Sequence, residues 1–216
     1  MYVSKRLKAI VAMIDDHAHI IDVGCDHGLL GVYAVMNRVD ITCLAIDINE
    51  SALKGAIKNV ALNQLNKAIR VIKNDGLDKI KIASSDVVVM SGLGTRTIKQ
   101  ILSKTDLTSL QTLIIQSNND LYDLRKMMVK LGYQIKAEKA VFDKKKYYVI
   151  IKFIKGFSQY HFMDYYLGPI LRVSDHDYIC DVIATQKYIL ESIPNKYLIR
   201  KIKLKILIYW LRKELK

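Results

Sequence analysis

Proline is nearly absent from this chain: 216 residues hold two. That excludes a proline-rich linker or a disordered tail of that composition. Cysteine is scarce as well. Cys25, Cys43 and Cys180 are odd in number and share no zinc-finger spacing. They read as reduced thiols, so neither a disulfide framework nor a metal centre is expected. No apolar run is long enough to cross a bilayer, the longest late one being Ile206 to Leu211. The opening stretch MYVSKRLKAIVAMIDD is too short and too charged in its apolar part for a secretion signal. A cytoplasmic chain is therefore expected. Acidic residues are the scarcer charge, 21 against 34 Lys and Arg, which leaves a formal +13. So large an excess favours a polyanionic partner, such as nucleic acid or an anionic membrane face.

What is present is alternation. Ser4 can cap a helix through about Ile14, followed by HIIDVG as a buried strand and a glycine-bearing turn into a helix near Leu29 to Met36. ITCLAID is a second strand, and Asn49 caps ESALKGAIKNVAL. AIRVIK, SSDVVVMSG and QTLIIQS supply three more strands. Helices over Thr97 to Leu102 and in DLYDLRKMMVKLG follow the last two, with Gly132 as the final stop. Then YQIKAEKAVF, the turn DKKK and YYVIIKFI form two strands with no helix between them, an antiparallel hairpin. Five strand–helix units closed by a hairpin predict an α/β fold, a doubly wound parallel sheet with an antiparallel end. That arrangement belongs to Rossmann-like methyltransferases rather than dehydrogenases. After Gly156 the alternation stops. Asp175 to Leu190 and Lys196 to Leu215 read as an antiparallel helical hairpin, coiled-coil-like, with Ile199, Ile202, Ile206 and Trp210 on one side of the last helix. The expected domains are 1–156 and 157–216.

In such a sheet, ligands bind at the carboxyl ends of the strands. Gly24, Gly28 and Gly31 fit the dinucleotide spacing poorly, and Asp26 would repel a pyrophosphate. A cationic sulfonium ligand with an amino-acid tail would not be repelled. Asp47 ends the second strand, where a carboxylate can accept from ribose hydroxyls, and Asp75-Gly76 follows the third, where an acid can accept from an adenine amino group. Three acids after three successive strands point to an adenosyl ligand such as S-adenosylmethionine. Ser91-Gly92-Leu93-Gly94 leaves room for a flat base beside it. Gln116-Ser117-Asn118-Asn119 either reads a base edge or caps the next helix. Cys25, Asp26 and His27 are neighbours whose side chains diverge, which disfavours a metal site or a thiol nucleophile.

SKRL at 4–7, DVGCDHGLL at 22–30, NDGL at 74–77, VVVMSGLG at 87–94 and LIIQSNNDLYDLRKMMVKLGY at 113–133 occur in one order. In this combination the chain resembles the bacterial tRNA adenine-N1 methyltransferases acting at adenosine 22, the TrmK family. It departs from the family pattern at Leu29 and Gly31, where DHAYLP is usual, at Thr95, where GMGG is usual, and at Ser117, where QPN is usual. The resemblance implies S-adenosyl-L-methionine as methyl donor and tRNA as acceptor, with no metal, no membrane and no obligate protein partner. It implies a donor site of Asp22, Gly24, Cys25, Asp26, Gly28, Asp47, Ile48, Asp75, Gly76, Ser91 and Gly92. Asp26 and Asn118 would stand nearest the reaction. Lys5, Arg6, His27, Gly94, Arg200, Lys201 and Lys203 are the expected tRNA contacts, the last three from a helical appendage over 157–216. The competing readings are a methyltransferase for another RNA position or a small metabolite, and a non-catalytic RNA-binding protein that keeps the fold.

Overall fold

The most apolar segments of the chain make the middle of one sheet. In the computed structural model, which describes residues 3–215, five strands run parallel: β1 (His19–Val23), β2 (Thr42–Asp47), β3 (Ile69–Lys73), β4 (Asp86–Leu93) and β5 (Thr112–Ser117). β6 (Tyr133–Asp143) and β7 (Lys146–Lys155) complete the sheet as a hairpin, and the strand order is β3-β2-β1-β4-β5-β7-β6. β7 therefore lies antiparallel between β5 and β6. Val88, Val89 and Met90 of β4 and Leu113, Ile114 and Ile115 of β5 are wholly buried. A strand covered on both faces has no solvent side, which is why these segments read as unbroken apolar runs.

The helices of this sheet are α1 (Lys5–Val11), α2 (Leu29–Asn37), α3 (Glu50–Leu62), α4 (Thr95–Ser103) and α5 (Leu121–Lys130). Two start on local caps. Ser4 Oγ accepts from the Leu7 N–H at 3.3 Å, and Asn49 Oδ1 from the Ser51 N–H at 2.8 Å. α4 begins two residues before the expected Thr97, because the Thr95 N–H is capped from a different loop, by Asn119 Oδ1 at 3.0 Å. Gly132, at φ +83°, ends α5 as expected. Arg125 of α5 and Glu138 of β6 form an ion pair at 2.8 Å with both side chains fully buried, tying helix to hairpin.

β1 sets the site. It pairs with β2 on one side and β4 on the other, so that Asp22 stands level with Ala45 and Val89. Successive connections leave β1 in opposite directions, and a crevice opens at the carboxyl ends where they part.

The chain divides into two compact units, Met1–Gln159 and Tyr160–Lys216. The second holds α6 (Phe162–Leu167), α7 (Leu171–Ser174), α8 (His176–Ser192) and α9 (Leu198–Lys213). α8 and α9 are the two long helices the sequence announces. α6 and α7, of six and four residues, are too short to show a 3.6-residue period. Arg172 joins them to the chain's end, donating to Asp164 at 2.7 Å and to Glu214 at 2.9 Å. Ile199, Ile202, Ile206 and Trp210 stand exposed on α9, while Ile208 and Leu211 are its buried residues. Among the described residues no helix is long and apolar enough to cross a membrane.

Candidate active site

A cavity of about 910 Å³ opens at the carboxyl ends of β1, β2, β3 and β4. Among the described residues, its lining carries five carboxylates, on Asp22, Asp26, Asp47, Asp75 and Asp78, against three cations, on Arg6, Lys104 and Lys144. Asp22 is the deepest acid. Its side chain is 2 % exposed, and its Oδ2 has no hydrogen-bond partner. Burial, and then the Asp47 charge, push the Asp22 carboxyl up to about 7. A buried acceptor without a donor is costly, and its presence in a cavity wall calls for a cationic or hydrogen-donating ligand.

The loop after β1 is held by β2. The N–H groups of Gly24 and Cys25 both donate to Ile46 O at 2.9 Å. Asp26 takes φ +50°, and its N–H donates to Asp47 Oδ2 at 3.0 Å, while the Asn49 N–H donates to Asp47 Oδ1 at 2.9 Å. Both Asp47 oxygens are thus oriented by backbone before any ligand arrives. The Asp26 side chain is exposed over the cavity, 3.7 Å from His27. The His27 ring packs on α3, where a Cβ at Gly55 would lie 2.2 Å from it. Asp75 is exposed, 3.7 Å from Lys104, and Ile48 and Gly76 complete that side.

Cys25 lines the cavity, but its thiol is pushed up to about 12 by burial and by the Asp22 and Asp47 charges. Burial raises the Cys43 thiol as well. Neither offers a thiolate at neutral pH, so thiol catalysis has no nucleophile here. No group of three His, Cys, Asp or Glu side chains suited to a metal occurs among the described residues.

The opposite wall is a hydrogen-bond network. A bulge between Ser91 and Leu93 breaks the β4–β5 register. Gln116, 1 % exposed, turns its Oε1 to this bulge and accepts from Arg6 Nη1 at 3.0 Å, from the Gly92 N–H at 3.2 Å and from Ser91 Oγ at 3.4 Å. Its Nε2 donates to Asn118 Oδ1 at 3.3 Å, and Asn118 Nδ2 donates to Gly92 O at 2.6 Å. The Asn118 amide is therefore fixed at both ends at the cavity wall. It does not cap α5, whose N-cap is Asp120.

The cavity gathers Arg6, Asp22, Gly24, Cys25, Asp26, His27, Asp47, Ile48, Asp75, Gly76, Ser91, Gly92 and Asn118. Gly28, Gly94 and Lys5 do not line it. Gly28 takes φ +67°, and a Cβ there would lie 3.0 Å from Ala56 Cβ, so the loop packs closely on α3 at this glycine. Gly94 faces Asn119 Oδ1 and caps α4, and Lys5 is exposed on α1. Arg200, Lys201 and Lys203 belong to α9 in the second unit. Gln116, in the segment that the sequence offers as base reader or helix cap, does neither directly: it braces Arg6, Gly92 and Asn118. The available signal was a long polar side chain closing an apolar strand.

Two of the departures named above touch each other. Thr95 Oγ1 and Ser117 Oγ lie 2.9 Å apart, both side chains buried, and each hydroxyl also reaches Asn119 O, at 2.7 and 2.9 Å. The pair locks the turn after β4 to the turn after β5. A double-mutant cycle on Thr95→Ala and Ser117→Ala should show non-additive losses with a coupling of about 1 kcal/mol in urea unfolding. Additive losses would mean that the two hydroxyls act independently.

A parallel sheet closed by an antiparallel hairpin, with an acid-lined cavity at its switch point, defines a Rossmann-like methyltransferase fold. The family model described as "Methyltransferase domain" matches residues 3–151, and the chain belongs to that family. It is similar to the tRNA (adenine(22)-N(1))-methyltransferase of Bacillus subtilis, 31% identical over 150 residues, a match covering 68% of this chain and 63% of that enzyme. Among solved structures it is similar to M. capricolum TrmK in complex with S-adenosyl-homocysteine, at 28% identity and TM-score 0.85, covering 100% of this chain and 98% of the other. A Streptococcus pneumoniae protein solved with S-adenosyl-L-methionine gives 26% identity and TM-score 0.86, with full coverage of both chains.

Proposed function

We propose that this protein is an S-adenosylmethionine-dependent methyltransferase that modifies N1 of adenine 22 in tRNA, in the cytoplasm. The observation that carries the reading is the buried, unpartnered Asp22 carboxyl in a cavity where carboxylates outnumber cations. Such a wall suits a ligand that brings an ammonium and a sulfonium, and the same cavity is too acidic for a pyrophosphate. The B. subtilis relative and the two ligand-bound neighbours support it.

In this reading Asp22, Gly24, Cys25 and Asp26 surround the methionine part of the donor. Asp47 and Ile48 meet its ribose, Asp75 and Gly76 its adenine, and Ser91 and Gly92 the sulfonium end. The donor would supply an electrophilic methyl group that adenine N1 takes with its in-plane lone pair, leaving a neutral thioether. The protein's part is to present the base. Asn118, immobilised by Gln116 and Gly92, offers an amide to the base edge, and the small Ser91-Gly92 segment leaves space beside it. Positioning of this kind supplies most of the barrier reduction in such transfers. Methylation at N1 makes the ring cationic, and the exposed Asp26 carboxylate at the loop faces that charge or its N6 proton. N1 is engaged in pairing within folded RNA, so the base must be extruded to reach the cavity. Lys5, His27 and Gly94 are proposed as contacts near the extruded nucleotide. Arg200, Lys201 and Lys203 are proposed as phosphate contacts of a tRNA-binding second unit.

The deciding experiment is incubation with labelled donor and unmodified tRNA transcripts, followed by mapping of the methylated nucleoside. We expect 1-methyladenosine at position 22; methylation elsewhere, or none alongside failed donor binding, would reject the reading. In the same assay Asp26→Asn should bind donor within about threefold of wild type and transfer methyl roughly 10–100-fold more slowly, the range for one lost acid–base or charge contact. A wild-type rate in that variant would reduce Asp26 to a donor-loop residue.

A further inference from the structure

The tip of the β6–β7 hairpin is built against local preference. Asp143 pairs with Lys146, so the loop has two residues, Lys144 and Lys145. Both take positive φ, +47° and +65°. Two consecutive left-handed residues make the type I′ turn that asparagine and glycine fill without strain. Lysine is disfavoured at both positions, and residues held in such conformations concentrate where they serve function.

The tip also stands in a particular place. β7 is antiparallel to β5, with Thr112 opposite Ile154 and Ile115 opposite Ile151. The start of β7 therefore lies beyond the carboxyl end of β5, on the edge where the cavity opens, and Lys144 is one of the cavity's lining residues. Lys144 and Lys145 are exposed and have no ion-pair partner among the described residues. The ribbon beneath them is braced: Tyr148 lies between Lys146 Nζ, at 4.6 Å from its ring centre, and the Arg6 guanidinium, at 5.3 Å. Phe142, 51 % exposed, packs on Tyr147 with ring centres 5.1 Å apart and presents an apolar face beside the lysines. Among the described residues, the cavity lining contains no Phe, Tyr or Trp ring.

We propose that the Lys144-Lys145 tip is an RNA clamp that grips the phosphates flanking the extruded nucleotide, with Phe142 as the surface for a neighbouring base. This rests on the RNA-methyltransferase reading above. A rigid two-strand ribbon holds two cations at the cavity mouth, where a strand delivering one base inward must turn its backbone. The clamp needs no sequence of its own, because phosphate contacts position without specifying.

The test replaces the tip by its unstrained equivalent, Lys144→Asn with Lys145→Gly, and separately by Lys144→Gln with Lys145→Gln, which keeps side-chain bulk. The Asn-Gly variant should melt about 3 °C higher than wild type, since the turn strain is gone. In both variants tRNA affinity should fall roughly tenfold at about 0.1 M salt. The slope of log affinity against log salt should shrink by about 1.4–1.8, because each of the two lost phosphate contacts removes about 0.7–0.9. Donor affinity should change far less than tRNA affinity. Unchanged tRNA affinity and slope, with wild type binding tRNA normally, would overturn the clamp alone. A loss of donor affinity equal to the loss of tRNA affinity would also overturn it, by making Lys144 a donor-site residue. Absence of any salt-dependent tRNA binding by wild type would sink the RNA reading and the clamp with it.

Discussion

Asp22→Asn should stabilise the ligand-free protein at alkaline pH and at the same time cripple donor binding. The two effects have one cause. Asp22 is buried at the end of β1 with a bare oxygen, and its carboxyl is raised from an ordinary value of 3.8 to about 7 by burial and by Asp47. The folded chain therefore holds this proton more tightly than the unfolded chain does. Stability contributed by the protonated form is complete below pH 3.8 and is lost as pH rises through about 7. Three pH units correspond to roughly 4 kcal/mol. Asparagine is neutral at every pH and escapes this loss. Its melting temperature should exceed wild type by roughly 5 °C or more at pH 8, and match it below about pH 3.8. Equal melting temperatures at pH 8 would show that the buried carboxylate is compensated in some other way.

Donor affinity should run in the opposite sense. A ligand carrying an ammonium and a sulfonium favours the ionised carboxylate, so binding must expel the Asp22 proton wherever it is present. Below about pH 7 the dissociation constant should rise about tenfold per pH unit, with close to one proton released per donor bound. Calorimetry in two buffers of different ionisation enthalpy reads that proton directly. In Asp22→Asn the proton release should vanish, and affinity at pH 8 should be lower by on the order of 100-fold, the loss of one desolvated charge contact. Proton release unaltered by the substitution would assign it to another group. In the proposed reading, this carboxylate is matched when the donor is bound.

The parts of this molecule that could be read from sequence are those set by local period and by strand ends. The order of strands and helices up to Lys155 follows from unbroken apolar runs, from Ser4, Asn49 and Gly132 at helix boundaries, and from a hairpin with no helix inside. That Asp26, Asp47 and Asp75 line one cavity follows because strand ends in a parallel sheet converge at the switch point, so an acid after each strand predicts a shared cavity. What escaped depends on contacts between distant segments. The close packing at Gly28 depends on Ala56, on a different helix. The start of α4 is set by Asn119, 24 residues from Thr95. The Arg125–Glu138 pair and the short α6 and α7 leave no periodic trace either. Arg6 has a local role that its charge alone did not announce: its guanidinium donates to Gln116 and lies over Tyr148.

Gln116→Leu should slow methyl transfer by about 100-fold while leaving donor affinity within about threefold of wild type. The side chain is 1 % exposed and stands between two groups that matter. Its Oε1 accepts from Arg6, from the Gly92 N–H and from Ser91, and its Nε2 donates to Ser117 O at 2.9 Å and to Asn118 Oδ1. Leucine breaks every one of these bonds and leaves the half-buried Gly92 N–H without its acceptor, which should cost about 1 kcal/mol of stability. Gln116→Glu separates structure from positioning. A carboxylate still accepts from Arg6 and Gly92 but cannot donate, so it repels Asn118 Oδ1 and drives the amide out of the arrangement that Gly92 O now holds. We expect Gln116→Glu to keep near-normal stability and to lose kcat almost as fully as Gln116→Leu, with little change in donor binding. Asn118→Ala added to either variant should cost little more, because residues that act as a unit are not additive. If Gln116→Glu transfers methyl at the wild-type rate and only Gln116→Leu is impaired, Gln116 supports the fold of the β4–β5 wall and the base is oriented by something other than Asn118.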